Sequence, residues 1–134
     1  MDFLIGGIQE GVLEARVKPV FDGLGFSGIV YHLKSTEKEC TELIERGQRV
    51  DLMVLSGYQS QGIADRYTEF HKLTLKNPRI PSILLIANSH QGVMEVFANI
   101  HPPNLTAYFS GFAMLTRERM DAILRGDILD WSLY

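Results

Sequence analysis

A chain of 134 residues and 15.1 kDa makes one domain and leaves little room for a second. Apolar residues at 46% and charged residues at 22% exclude extended disorder. A net charge of −3 and a pI near 5.8 argue against direct nucleic-acid binding or attachment to an anionic membrane surface. No apolar run approaches the ~20 residues of a membrane span, and residues 1–7 lack the basic region that opens a signal peptide. The single cysteine, Cys40, excludes an internal disulfide and a cysteine-built zinc site, and it suits a reducing compartment. The expectation is a cytoplasmic domain.

Five short apolar runs, 3–8, 28–33, 52–55, 83–87 and 105–109, alternate with longer segments of helical spacing. Three of the runs are continuous rather than alternating, as in strands buried on both faces of a parallel sheet. After the first run, Leu13, Val17, Val20, Phe21 and Leu24 recur at intervals of three and four, and Gly25 stops the pattern. Pro19 interrupts it, which implies a kink or a late helix start. Thr36 with Glu39 forms a capping-box pair for a second helix that carries Cys40, Leu43 and Ile44 on one face and ends at Gly47. Ile63, Tyr67, Phe70 and Leu73 mark a third helix. Val93, Val96, Phe97 and Ile100 mark a fourth, stopped by Pro102 and Pro103. Thr116 caps a fifth, with Met120, Ile123 and Leu124 inward and Gly126 at its end. The order is (βα)5: an α/β, doubly wound, parallel five-stranded sheet of flavodoxin-like type, strand order 2-1-3-4-5. Residues 1–126 form the domain, and 127–134 form an aromatic tail that packs on it or on a partner.

In such a sheet the site lies at the carboxyl ends of the strands. Gly6, Gly7 and Gly11 follow the first strand, yet they make neither G-x-G-x-x-G nor a Gly-Lys-Ser/Thr loop. A tight turn explains them more simply. Ser56 ends the third strand without the G-x-S-x-G context of a nucleophile, and His90, after the fourth, is the histidine best placed to be its base. A turn serine and a helix-start histidine are the plainer assignment. His32, His71 and His101 stand on separate segments without H-x-x-x-H or H-x-H spacing, so no metal site is expected. Arg117, Arg119 and Arg125 share the last helix, as a solvated face or as a partner-binding patch. Cys40 reads as a small core residue.

Several stretches carry a further signal: Phe21-Asp22-Gly23-Leu24-Gly25-Phe26, Gly47-Gln48-Arg49-Val50-Asp51-Leu52-Met53-Val54-Leu55, Pro81-Ser82-Ile83-Leu84-Leu85-Ile86-Ala87 and Ala107-Tyr108-Phe109. In this order they resemble a response-regulator receiver domain over roughly residues 2–125. The first is similar to the end of that family's first helix and its turn into strand two. The second is similar to the approach to the phosphorylation site, the third to strand four, and the last to strand five.

The resemblance implies where the family's functional groups fall here. The phosphoacceptor aspartate falls on Ser56, and the acidic pair falls on Gly6 and Gly7, or on Ile8 and Gln9 if the helix is the anchor. The hydroxyl residue of strand four falls on Ile86, and the lysine after strand five on Gly111. Mg²⁺ wants hard oxygen ligands, and at most Glu10 lies close in sequence. A degenerate pseudo-receiver is therefore expected, with no catalytic residue, no resident metal and no cofactor. Its function would be phosphorylation-independent regulation in signalling or transcriptional control, through a protein partner or a homodimer. The contact face would be the family's fourth helix, fifth strand and fifth helix, with Tyr108, Arg117, Arg119 and Trp131 as contact residues. Tyr108 matches the family's switching aromatic, and Ile86 offers it no hydroxyl. The alternative is a small flavodoxin-like enzyme or ligand binder, with a strand-end pocket lined by Gly6, Gly7, Glu10, Ser56, Asn88 and His90.

Overall fold

The architecture follows from strands apolar on both sides, which only a sheet covered on both faces can bury. A computed structural model of the chain describes residues 1–56, 63–85, 104–108 and 115–127, with 63–68 and 105–108 described as backbone alone. The strands are β1 (Asp2–Gly6), β2 (Val30–Lys34), β3 (Leu52–Ser56), β4 (Ser82–Leu85) and β5 (Leu105–Tyr108). All pair in parallel, in the order β2-β1-β3-β4-β5. The expected fold class and strand order are those observed. The expected fourth helix, Phe109 and residues 128–134 lie outside the described residues.

Alternation along the strands sorts the core into two layers. Phe3, Ile5, Leu52, Val54, Ile83 and Leu85 face one layer, together with Leu13, Val17, Phe21, Met120 and Ile123 from the first and last described helices. Leu4, Met53, Leu55 and Leu84 face the other, against Cys40, Phe70 and Leu73. Phe3 anchors the first layer through edge-on contacts with Phe21 at 5.1 Å and Tyr31 at 6.1 Å.

The first helix, α1, differs from expectation in start and in form. It begins at Glu10, and it runs α-helical over Glu10–Val12, π-helical over Leu13–Val17, then α-helical over Lys18–Gly23. The wide turn is closed by the Lys18 N–H on the Leu13 carbonyl, one residue beyond the α-helical partner. Pro19 then stands in the first turn of the last piece, where a missing N–H is tolerated. The proline is absorbed by a π turn just before it. Both α1 and the second helix, α2 (Glu37–Glu45), stop as expected at a glycine of positive φ, +86° at Gly25 and at Gly47. Paired backbone bonds close each stop: Phe26 N–H to the Phe21 carbonyl after α1, and Gln48 N–H to the Leu43 carbonyl after α2.

Thr36 caps α2 by accepting from the Glu39 N–H at 3.2 Å. The third helix, α3, spans Ile63–Lys76, and the last, α4, spans Arg117–Leu124 with Thr116 accepting from the Arg119 N–H. Strand bounds shift by a residue or two. β1 stops at Gly6 because Gly7 turns the chain at φ +72°, and β2 starts at Val30, just after Gly28 at φ +69°.

Leu84 is almost fully buried in the second layer. Leu84→Ala should lower unfolding free energy by about 2–5 kcal/mol through lost transfer energy and a residual cavity. Denaturant titration followed by circular dichroism checks this. A loss below about 1 kcal/mol contradicts a covered central strand.

Candidate functional site

The carboxyl ends of β1 and β3 come together at the top of the sheet, where Gly6 pairs in register with Leu55. A Cβ on Gly7 would lie 2.0 Å from the Ser56 carbonyl oxygen and 2.7 Å from the Phe70 ring. One on Gly6 would meet Leu55 at 2.8 Å, Phe70 at 3.2 Å and the Cys40 Sγ at 3.3 Å. The two glycines thus admit the aromatic ring of α3, which is 1% exposed. Chain order alone does not show this contact. Phe70 reads in the sequence as one more apolar helix position, and its spacing carries no sign that it reaches the β1 turn.

Ser56 is 1% exposed at the last position of β3, and its Oγ has no hydrogen-bond partner among the described residues. Glu10 is exposed at the start of α1. Gly11 has open space beside it. Ile86, Asn88, His90 and Gly111 lie outside the described residues, so the expected pocket is seen only on its Gly6, Gly7, Ser56 and Glu10 side. Among the described residues no group of three or more His, Cys, Asp or Glu side chains is arranged to hold a metal ion. The residues at the positions where the resemblance puts the Mg²⁺ ligands, Gly6, Gly7 and Ser56, do not fit that ion. Gly6 and Gly7 offer no carboxylate, and the apolar Phe70 ring occupies the space beside them.

Cys40 beneath this turn is wholly buried, and burial pushes its thiol up to about 12, helped by Glu39 and Glu37. A thiol so placed stays protonated and unreactive at neutral pH. It is a core residue, as its helical face implied.

Tyr108 ends β5 in register with Leu85. On α4 the Arg117 guanidinium is taken up internally. It lies 3.9 Å over the Phe26 ring, donates to the Leu24 carbonyl at 3.1 Å and pairs with Asp121 at 3.2 Å. These bonds tie α4 to the turn after α1. Arg119 is exposed, and it has no ion pair among the described residues. Trp131 lies outside them.

The opposite end of the sheet holds a polar network that sequence reasoning missed. The Asp51 carboxylate accepts from the Asp2 N–H at 2.8 Å and from Arg49 Nε at 3.0 Å. Asp2 Oδ1 lies 3.0 Å from His32 Nε2. A clue was available: Asp2 and Asp51 each stand at the start of an apolar run, where a parallel ladder leaves donors unpaired.

No protein-family model matches the chain, and no curated protein matches it in sequence. Solved structures do match in shape. The RcsB response regulator of Salmonella typhimurium superposes with a TM-score of 0.68 at 11% identity, over 97% of this chain and 62% of that one. The fold is receiver-like. RcsB from Salmonella enterica serovar Typhimurium bound to the promoter rprA gives 0.65 at 11%, over 95% and 63%. A Burkholderia pseudomallei protein described as pilus assembly-related gives 0.61 at 10%, over 96% and 92%. This receiver-like chain spans less than two thirds of the RcsB chains it matches. None of its described helices is long and apolar enough to cross a membrane.

The backbone N–H of Asp2 and the Arg49 side chain hold the Asp51 carboxyl below the usual aspartate range. Because the folded value is the lower one, the stabilisation is present above about pH 4 and is lost as pH falls through the folded value. Asp51→Asn should therefore flatten the acid limb of a stability–pH curve while costing roughly 1 kcal/mol at neutral pH. Urea midpoints measured between neutrality and acid check the sign.

Proposed function

We propose that this chain is a receiver-type regulatory module that works by protein contact, without aspartyl phosphorylation and without catalysis of its own. The observation that carries the proposal is the top of β1 and β3. A buried serine hydroxyl ends β3, and the Phe70 ring fills the side of Gly6 and Gly7 where carboxylates would be needed. No acyl phosphate forms on a hydroxyl, and a hydroxyl beside a benzene ring is a poor seat for a hard cation. The receiver-like fold, shared with RcsB, supports a place in signalling. The alternative, a ligand binder cradled by the glycines, has less in its favour. Its cradle is occupied by Phe70 and the Ser56 carbonyl.

Two outcomes test this. Millimolar Mg²⁺, with or without beryllofluoride, should leave tyrosine and tryptophan fluorescence unchanged, and acetyl phosphate should add no phosphoryl mass to the intact protein. Saturable Mg²⁺ binding or a stable phosphoryl adduct overturns the proposal.

The contact face is proposed around Tyr108 and α4, where tyrosine and arginine are the residue types that most often anchor interfaces. Arg117 serves this face from within, by fixing α4 against Phe26. Arg119, on the same helix, is an exposed cation with no ion pair among the described residues. Tyr108→Ala with Arg119→Glu should lose partner capture in pull-downs from the native host, at a cost of ~2 kcal/mol or more in binding. A folded double variant that keeps every partner places the contact elsewhere.

A further inference from the structure

β2 is the edge strand of the sheet, and its pairing with β1 runs unbroken through all five residues, without a bulge or a proline. The Val30 N–H donates to the Met1 carbonyl at 2.8 Å, and the Lys34 carbonyl accepts from the Gly7 N–H at 3.0 Å. In a parallel ladder every second residue bonds to the same neighbour, so Val30, His32 and Lys34 face β1 with their backbone groups. The N–H and C=O of Tyr31 and Leu33 point the other way, and among the described residues no strand pairs with them. Natural edges are commonly guarded by charges, bulges or prolines. Here the only full charge on the strand is Lys34, at one end, and at the other Val30 is 53% exposed.

We infer that β2 is a self-association edge, at which two copies of this chain pair their β2 strands antiparallel about a two-fold axis through His32. The register is set by the backbone. It sets Tyr31 of one copy opposite Leu33 of the other, so all four outward N–H groups of the two strands meet outward carbonyls. A shift by two residues in either direction loses half of these bonds. The side chains agree with this register. Tyr31 and Leu33, which both pack on the α1 side of the sheet, form two apolar cross-strand pairs. On the other side, Lys34 of one copy lies opposite Val30 of the other. Its methylenes cover the exposed valine, and its ammonium arrives where Asp2, the β1 neighbour of Val30, carries a negative charge. The edge is complementary to itself in hydrogen bonding and in charge, as a two-fold contact requires. A partner of unrelated sequence would satisfy the backbone groups but not the charge pairing. This edge is separate from the face of Tyr108 and α4, and it holds whether or not the regulatory reading does.

The test is a charge-swap cycle on the full chain, followed by sedimentation velocity over a concentration series. The wild type should show a concentration-dependent dimer. Val30→Lys opposes like charges twice across the axis, and Lys34→Glu brings a carboxylate up to Asp2. Each should weaken association roughly tenfold. The double variant Val30→Lys/Lys34→Glu restores opposite charges and should recover most of the affinity. Val30 is exposed, so circular dichroism and the denaturation midpoint should not change for its variant. As a second measurement, hydrogen exchange should show the Tyr31 and Leu33 amides fast at low protein concentration and slowed at high. A strictly monomeric wild type overturns the inference. So does a dimer that ignores both single substitutions, or one abolished only by Tyr108→Ala with Arg119→Glu.

Discussion

The Phe70 ring, resting on Gly6 and Gly7 with the Ser56 carbonyl alongside, determines what the top of the sheet can do. Two residues without side chains let the end of β1, the end of β3 and the inner face of α3 approach to van der Waals contact. Cys40 and Leu55 complete the same packing from below. Any side chain at Gly7 would strike backbone and would also need a left-handed conformation, at φ +72°. Among the described residues, the corner of the strand carboxyl ends beside Gly6 and Gly7 is filled by apolar packing. Binding energy for a small polar ligand cannot come from this corner without displacing a buried ring.

The other end of the sheet is arranged in the opposite sense. The Asp51 carboxylate accepts from the first N–H of β1, while Arg49 pairs with Asp51 and His32 with Asp2 side chain to side chain. Ion pairs this near the surface add little net energy. The Asp51 bond to the Asp2 N–H matters more, because it gives a partner to a backbone donor that the ladder leaves open. A charged network thus caps the amino end of β1, while beside Gly6 and Gly7, at the carboxyl end, the described packing is apolar.

Two devices hold the α1 side of the sheet in one arrangement. Arg117 bridges α4 to Phe26 and to the Leu24 carbonyl, so the last helix is fastened to the turn between α1 and β2. The π turn in α1 lets Pro19 sit at a helix start without breaking the layer made by Leu13, Val17 and Phe21. Both act on the same side of the sheet. The outer edge of β2 adjoins that side through Tyr31, whose hydroxyl is held up to about 12 by burial and by the nearby charges of Asp22 and Glu14.

The sequence by itself determined the fold class, because strand and helix announce themselves through period. Continuous apolar runs require a sheet covered twice, and the helix stops at Gly25 and Gly47 and the cap at Thr36 are local signals that no distant contact overrides. It also showed that carboxylates are missing at positions 6, 7 and 56, since composition at a strand end needs no coordinates. Only the tertiary structure decided what replaces them. Phe70 follows Gly7 by more than sixty positions, and their contact depends on how α3 crosses the sheet, which periodicity does not encode. The same holds for Arg117 over Phe26 and for the direction in which the backbone of Tyr31 and Leu33 faces. Period reports which side of an element is apolar. Which atoms meet there is decided by packing geometry, where one residue of offset in a helix or strand changes every contact.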